Sequence, residues 1–232
     1  MRDDDLPTIR NLDLFRAMRD DRFKALAEVA YLQSFPPRVD LITEGDPSDF
    51  LHVVLEGSVD LFASWNGRET SLATVRPVST FILAATVRDA PYLMSARTLE
   101  KSRIILIPSE DVRAAFDADD DFARAVVREL AQCYRSVVKA QKDLKLRTSL
   151  ERLANYLLRQ QRRAGGKPAF DLPHDKRRLA SFLGMTPENL SRAFKSLNNY
   201  GVGVDGTRIT ICDQPDLEKL ARPSPLIDDP TT

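Results

Sequence analysis

Leu12, Phe15, Phe23, Leu26 and Val29 recur at near-helical spacing, which predicts short helices over residues 9–32. From Pro36 the period falls to about two. Val39 and Leu41, then Leu51, Val53 and Leu55, then Val59 and Leu61 alternate with polar residues, and further short strands fit Thr70–Val75 and Ile104–Ile107. Turn-forming runs separate them: Glu44-Gly45-Asp46-Pro47, Glu56-Gly57-Ser58 and Trp65-Asn66-Gly67. Many short strands at close spacing predict a small antiparallel barrel or jelly roll. Helical spacing returns after Pro108, with Ser109 as an expected N-cap. A long helix follows, from about Asp119 to Lys145. Along it Ala123, Val126, Leu130, Cys133, Val137, Ala140 and Leu144 keep a 3-4 spacing, the seam of a coiled coil. Roughly 37 Å of such a seam calls for a partner helix, and a second copy of the chain is the expected one. Leu150, Leu153, Ala154, Leu157 and Leu158 mark one face of a further helix, broken at Gly165-Gly166-Lys167-Pro168.

The sharpest local pattern lies in residues 175–211. Asp175–Leu183 reads as a short amphipathic helix and Gly184-Met185 as a turn. Thr186 then caps a second helix that has Pro187 at its first position and Leu190, Phe194 and Leu197 facing inward. Asp205-Gly206 between two β-like runs predicts a hairpin. Two short helices, a glycine turn and a hairpin wing define a winged helix-turn-helix, whose second helix enters the major groove. Glu188, Asn189, Ser191 and Arg192 are therefore the expected base readers. Arg192 can donate twice to guanine and Glu188 can accept from cytosine. Lys176, Arg177, Arg178, Lys195 and Arg208 suit phosphates.

Bulk charge gives this reading no support, because 34 Lys+Arg balance 34 Asp+Glu. The balance hides two unlike regions. Residues 1–145 hold 20 basic and 24 acidic side chains, whereas residues 146–232 hold 14 and 10. The basic excess falls on the half that carries the helix-turn-helix, where phosphate contacts need it. Two cysteines, Cys133 and Cys212, are too few for a structural zinc site or an iron–sulfur cluster. No metal site is expected. No Gly-rich phosphate loop or catalytic-triad spacing suggests an enzyme. No apolar run reaches a membrane span, and the acidic start lacks a signal-peptide core, so the expected location is the cytoplasm.

The stretch Leu179-Ala180-Ser181-Phe182-Leu183-Gly184-Met185-Thr186-Pro187-Glu188-Asn189-Leu190-Ser191-Arg192 resembles the CRP/FNR family of bacterial transcription regulators. Glu188, Ser191 and Arg192 match the E-x-x-S-R set of the FNR branch. The resemblance implies an α+β chain: a cyclic-nucleotide-binding-like β-roll with N-terminal helices over 1–118, a dimerisation helix over 119–145, a winged helix-turn-helix over 146–222 and a disordered tail over 223–232. It implies a homodimer on a TTGAT-like palindrome of double-stranded DNA, contact with RNA polymerase, and an effector. The dimer interface would be Val126, Leu130, Cys133, Val137, Ala140 and Leu144.

Cyclic-nucleotide members carry F-x-G-E-(x9)-R-[ST]-A. Here the same register gives Leu83 for the Gly, Ala84 for the Glu and Met94 for the Arg, ahead of Ser95 and Ala96. No guanidinium remains for the phosphate, so a cyclic nucleotide is not the expected effector. A second register through Arg97 misplaces the Ser-Ala pair. With no cysteine before Cys133, the FNR iron–sulfur sensor is missing too. What remains resembles the DNR/NnrR-like branch, which is associated with nitric oxide and haem. Leu83, Ala84, Val87, Leu93, Met94 and Ser95 are then the expected effector pocket, or else plain barrel core. His52, Met94 and Cys133 are the conceivable haem ligands, although a strand histidine is more often structural. Two other readings stay open: a cyclic-nucleotide-responsive regulator, and a sensor or scaffold with this fold that does not bind DNA.

Overall fold

The helical spacing of the first thirty residues resolves into α1 (Leu6–Arg10) and α2 (Asp20–Val29), but its end does not. Tyr31–Phe35 is a strand, β1, which pairs antiparallel with the strand Ser102–Pro108 far along the chain, Tyr31 opposite Leu106. The computed structural model describes residues 6–173 and 175–229, so His174 lies outside the described residues. The strands that follow are β2 (Asp40–Ile42), β3 (Phe50–Glu56), β4 (Val59–Trp65), β5 (Arg68–Val75) and β6 (Ser79–Phe81). After α3 (Leu83–Arg88) come β7 (Ser95–Thr98) and β8 (Ser102–Pro108). They form two antiparallel four-stranded sheets, ordered β1-β8-β3-β6 and β2-β7-β4-β5. Asn66 and Gly67, both at positive φ, close the two-residue β4–β5 hairpin, with Trp65 opposite Arg68.

Both faces of β3 are buried. Leu51, Val53 and Leu55 join Ile105 and Ile107 of β8 in a core shared with α1, α2 and the helices that follow the roll. Val54, on the opposite face, joins Ile42, Val59, Leu61, Phe81, Ala96 and Ile104 between the two sheets. His52 alternates with Leu51 and Val53 and so takes the inter-sheet side, stacked on Phe81 with ring centroids 4.8 Å apart.

Helix α4 (Ser109–Ala118) starts directly on β8. Ser109 is its first residue rather than its cap, and no side chain caps that end. Asp119 caps the long helix α5 (Asp120–Leu146) instead: its Oδ1 accepts the amides of Asp121 (3.1 Å) and Phe122 (3.0 Å). Val126 is completely buried in the core of the roll, and Leu130 packs partly against it. Val126 therefore cannot lie on an intermolecular seam. The apolar residues that α5 leaves exposed are Val127, Tyr134, Val137, Val138, Leu144 and Leu146, with Ala131, Cys133 and Ala140 also exposed. Residues 127, 130, 134, 137 and 144 keep a heptad spacing, so the exposed stripe is turned by one residue at alternate positions.

The chain divides into two units, Met1–Cys133 and Tyr134–Thr232, the boundary falling inside α5. The second unit contains the C-terminal half of α5, then α6 (Ser149–Arg163), β9 (Ala169–Asp171), α7 (Lys176–Phe182), α8 (Pro187–Leu197), β10 (Val202–Asp205), β11 (Arg208–Ile211), α9 (Gln214–Ala221) and α10 (Pro225–Asp228). A capping box opens α6: Thr148 Oγ1 accepts the Glu151 amide, and the Glu151 carboxylate accepts the Thr148 amide. Residues 223–229 correct the expected tail. They hold α10, and Asp228 is buried against Arg147 and Arg159. The Pro-Ser-Pro composition suggested a frayed end, but the carboxylate finds cations distant in sequence.

Candidate nucleic-acid interface and effector region

Helices α7 and α8 are fixed from inside. Leu179, Ala180, Leu183, Leu190, Ala193, Phe194 and Leu197 are buried with Leu153, Leu157, Phe170, Val202, Ile209 and Leu217. Asp175 Oδ1 caps α7 through the Arg178 amide (2.9 Å), and Thr186 Oγ1 caps α8 through the Asn189 amide (3.2 Å). Gly184, at φ 60°, makes the turn between them. The left-handed conformation favours glycine there, while the 2.7 Å approach of a Cβ to Leu144 Cδ1 would only turn the end of that side chain aside.

With its inner face filled, α8 presents Glu188, Ser191, Arg192 and Lys195 to solvent, and Asn189 is half-buried. These groups are already organised. Arg192 Nη2 donates to Asn189 Oδ1. Ser191 Oγ donates to the Pro187 carbonyl (2.9 Å), leaving its lone pairs to accept. The Glu188 carboxyl is held below its ordinary range by its own main-chain amide, the Thr186 hydroxyl and the Arg192 charge, so it is an acceptor at neutral pH.

Lys176 and Arg177 are exposed on the first turn of α7, whereas Arg178 is half-buried. The predicted wing is β10–β11, in a sheet ordered β10-β11-β9. Asp205 pairs with Arg208, so the two loop residues are Gly206 and Thr207, one position later than the expected Asp-Gly. Gly206 at φ 60° suits the first central position of such a loop. Arg208 stands at the wing, with Asp171 3.8 Å away and both side chains exposed. The nine predicted DNA contacts thus fall on α7, α8 and the wing of one unit.

Sequence reasoning missed Arg152. It lies beside the apolar face of α6 and is buried. It donates to the carbonyls of Leu183 (2.9 Å), Arg147 (2.7 Å), Leu144 (3.3 Å) and Gly184 (3.4 Å), tying the last turn of α5 to the turn between α7 and α8. The only available signal was a cation next to an apolar stripe, which usually means a solvated edge.

The six expected effector-pocket residues do not line one space. Leu83 and Val87 pack into the core on the helical side of the roll, and Met94 packs against the core between the sheets. Ala84 is exposed and Leu93 is 82% exposed. Ser95 is buried, with its Oγ accepting the Glu44 amide (3.0 Å). The barrel-core reading fits Leu83, Val87 and Met94.

Arg97 is held by Asp40 (2.5 Å) and Glu69 (3.2 Å) and lies over the Phe62 ring, 4.5 Å from its centroid. These carboxylates raise its pKa, the Asp40 hydrogen bond foremost. Its charge is already matched, which speaks against the second register. His52 is 3% exposed, and its Nδ1 has no hydrogen-bond partner. Burial pushes its pKa down to about 4, against the opposing effect of the Phe50 main chain, so the ring is neutral. Cys133 is exposed on α5, away from either core cluster. Among the described residues no three or more His, Cys, Asp or Glu side chains gather as a metal site. No described helix is long and apolar enough to cross a membrane.

A two-sheet roll, a long helix and a winged helix with an ordered polar face define a DNA-binding regulator. Comparison with known proteins agrees. Residues 32–119 match the cyclic nucleotide-binding domain family, and residues 151–220 match the Crp-like helix-turn-helix domain family. The CRP-like cAMP-activated global transcriptional regulator of Mycobacterium tuberculosis is 23% identical over 215 residues, 90% of this chain and 96% of that protein. The transcriptional activator protein anr of Pseudomonas aeruginosa is 25% identical over 186 residues, 78% of this chain and 76% of that protein. The fold matches FixK2 from Bradyrhizobium japonicum with a TM-score of 0.71 at 24% identity, covering 84% of this chain and 99% of that one. The chain belongs to the CRP/FNR family of DNA-binding transcription regulators.

Proposed function

We propose that the protein acts in the cytoplasm as a homodimer that binds a TTGAT-like palindrome and contacts RNA polymerase, under the control of a small effector. The observation that carries the DNA reading is the outer face of α8. Glu188, Ser191 and Arg192 are exposed on a helix whose cap and core fix its position. Support for the dimer is the apolar stripe of Val127, Tyr134, Val137 and Leu144, which a second copy of α5 would cover. Two recognition helices related by a two-fold axis would read half-sites about one helical turn apart.

The effector is best read as something other than a cyclic nucleotide. The positions that would hold a cyclic phosphate carry Leu83, Ala84 and Met94, and Arg97 is matched by carboxylates. Haem, with nitric oxide on it, is one candidate of the DNR/NnrR-like kind. The residues offer it one buried ring nitrogen without a partner, at His52, and the thioether of Met94 on the inter-sheet core. A Soret band after reconstitution would support haem; a flat spectrum would leave an effector of another kind. Such a ligand acts by favouring the DNA-competent state over the incompetent one.

The deciding experiment for DNA recognition is Arg192→Ala measured by fluorescence anisotropy on a TTGAT palindrome at fixed salt. The expected loss is about 1–3 kcal/mol per half-site, with little change on unrelated duplex. Equal affinity of variant and parent would remove Arg192 as a base reader.

A further inference from the structure

The matched helix-turn-helix family ends at residue 220, yet the chain continues into an ordered segment. That segment returns to the junction of α5 and α6, which consists of Arg147 and Thr148 alone. Asp228 Oδ2 accepts from Arg147 Nη2 (2.6 Å), and its Oδ1 accepts from Arg147 Nη1 (2.9 Å), a two-pronged guanidinium–carboxylate pair. The same Oδ1 accepts from Arg159 Nη1 on α6 (2.7 Å), while Oδ2 also takes the Ser224 amide (2.7 Å). From the other side, Asp143 on α5 accepts from Arg147 Nη1 (2.8 Å). Lys139 Nζ, one turn earlier on α5, donates to the Asp229 carbonyl (2.7 Å).

The side chains of Arg147 and Asp228 are 8% and 3% exposed. A pair this buried differs from a surface ion pair. Removing one partner leaves a charge that water cannot reach, so the arrangement is held in one geometry. The contacts converge on the two residues about which the winged helix could swing relative to the end of α5.

We propose that residues 223–229 form a strap across the α5–α6 junction, with Asp228 as the positioning residue that fixes the angle at which the winged helix leaves the long helix. The proposal rests on the dimer-on-palindrome reading for its consequence: a fixed angle sets the distance between two recognition helices. It extends that reading to a segment outside the matched family domain. Asp228 touches no DNA in this account; it acts through Arg147 and Arg159.

The test uses the full chain, Asp228→Asn, Asp228→Glu as the conservative variant, and a chain ended at Pro223. The first readout needs no DNA. Trypsin cleavage after Arg147, followed by mass spectrometry, should be slow in the parent and about tenfold faster in Asp228→Asn and the truncated chain. Asp228→Glu should stay near the parent. The second readout compares duplexes whose half-sites stand at the preferred spacing or one base pair off. The parent should prefer the former, and Asp228→Asn should lose most of that preference while keeping its affinity for a single half-site.

Unchanged cleavage in Asp228→Asn would overturn the strap. An equal loss of affinity on every duplex, with the spacing preference intact, would reduce Asp228 to general stability and overturn its positioning role. If the parent itself shows no spacing preference, the palindrome reading fails, and the cleavage rates still decide whether the strap exists.

Discussion

Protonating His52 should weaken the N-terminal unit as pH falls below about 6.5. The ring is buried between the sheets against Phe81, and burial lowers its pKa from 6.5 to about 4. The unfolded chain therefore binds a proton that the folded chain refuses between those values. The contribution is fully present above about pH 6.5 and is lost as pH falls toward 4. The gap between the two values corresponds to about 3 kcal/mol in total, of which about 1.3 kcal/mol falls between pH 7.5 and 5.5. Asp228, lowered by the Arg147 pair against the opposing effect of burial, loses its contribution only as pH falls below its ordinary value of 3.8, outside this range. Urea denaturation of parent and His52→Gln at pH 7.5 and 5.5 measures the effect, and an NMR titration of the imidazole gives its pKa directly. The parent should lose about 1.3 kcal/mol more than the variant over this interval. A ring that titrates near 6.5, or an equal loss in both proteins, would refute the buried neutral histidine.

Two further substitutions separate roles along the rest of the chain. Val137→Asp should give a folded monomer by light scattering, since Val137 is 60% exposed; Val126→Asp should instead unfold the N-terminal unit, since Val126 is fully buried in its core. A monomeric, folded Val126→Asp would restore the seam as the sequence suggested it. Leu190→Ala, at a fully buried position of α8, should cost about 2–5 kcal/mol in chemical denaturation of the C-terminal unit. A change under 1 kcal/mol would contradict the packing that holds α8 in place.

The winged helix was legible because its signals are neighbours. Thr186 and Pro187 set the start of α8, Gly184 the turn before it, and Gly206 the wing, each within a few residues of its effect. Where partners are distant, sequence pattern failed. β1 is held by β8, some seventy residues later, so its helical-looking lead-in gave no warning of a strand. β3 is buried on both faces, and alternation showed only Leu51, Val53 and Leu55, not the burial of His52 and Val54. On α5 a strict seven-residue repeat chose Val126 over Val127. A straight helix drifts against that repeat, and the core of the roll claims Val126 first. The effector region scattered for the same reason: Leu83, Leu93 and Met94 are close in sequence, but α3 and the loop after it send them to one core, solvent and the other core. Asp228 could not be read at all, because Arg147 and Arg159 stand 81 and 69 positions away.

The position of the boundary inside α5 bears on how such regulators can be recombined. The intuitive cut for a chimera is the short connection at Arg147-Thr148. Arg152 bonds the carbonyls before that cut to those of the turn at Leu183-Gly184, and Leu144 fills the space beside Gly184. A graft made there would carry the reading head away without its mount. The transplantable cassette begins near Tyr134 and runs through Asp229, so a new sensor should be joined mid-helix, in phase, and nothing trimmed from the far end.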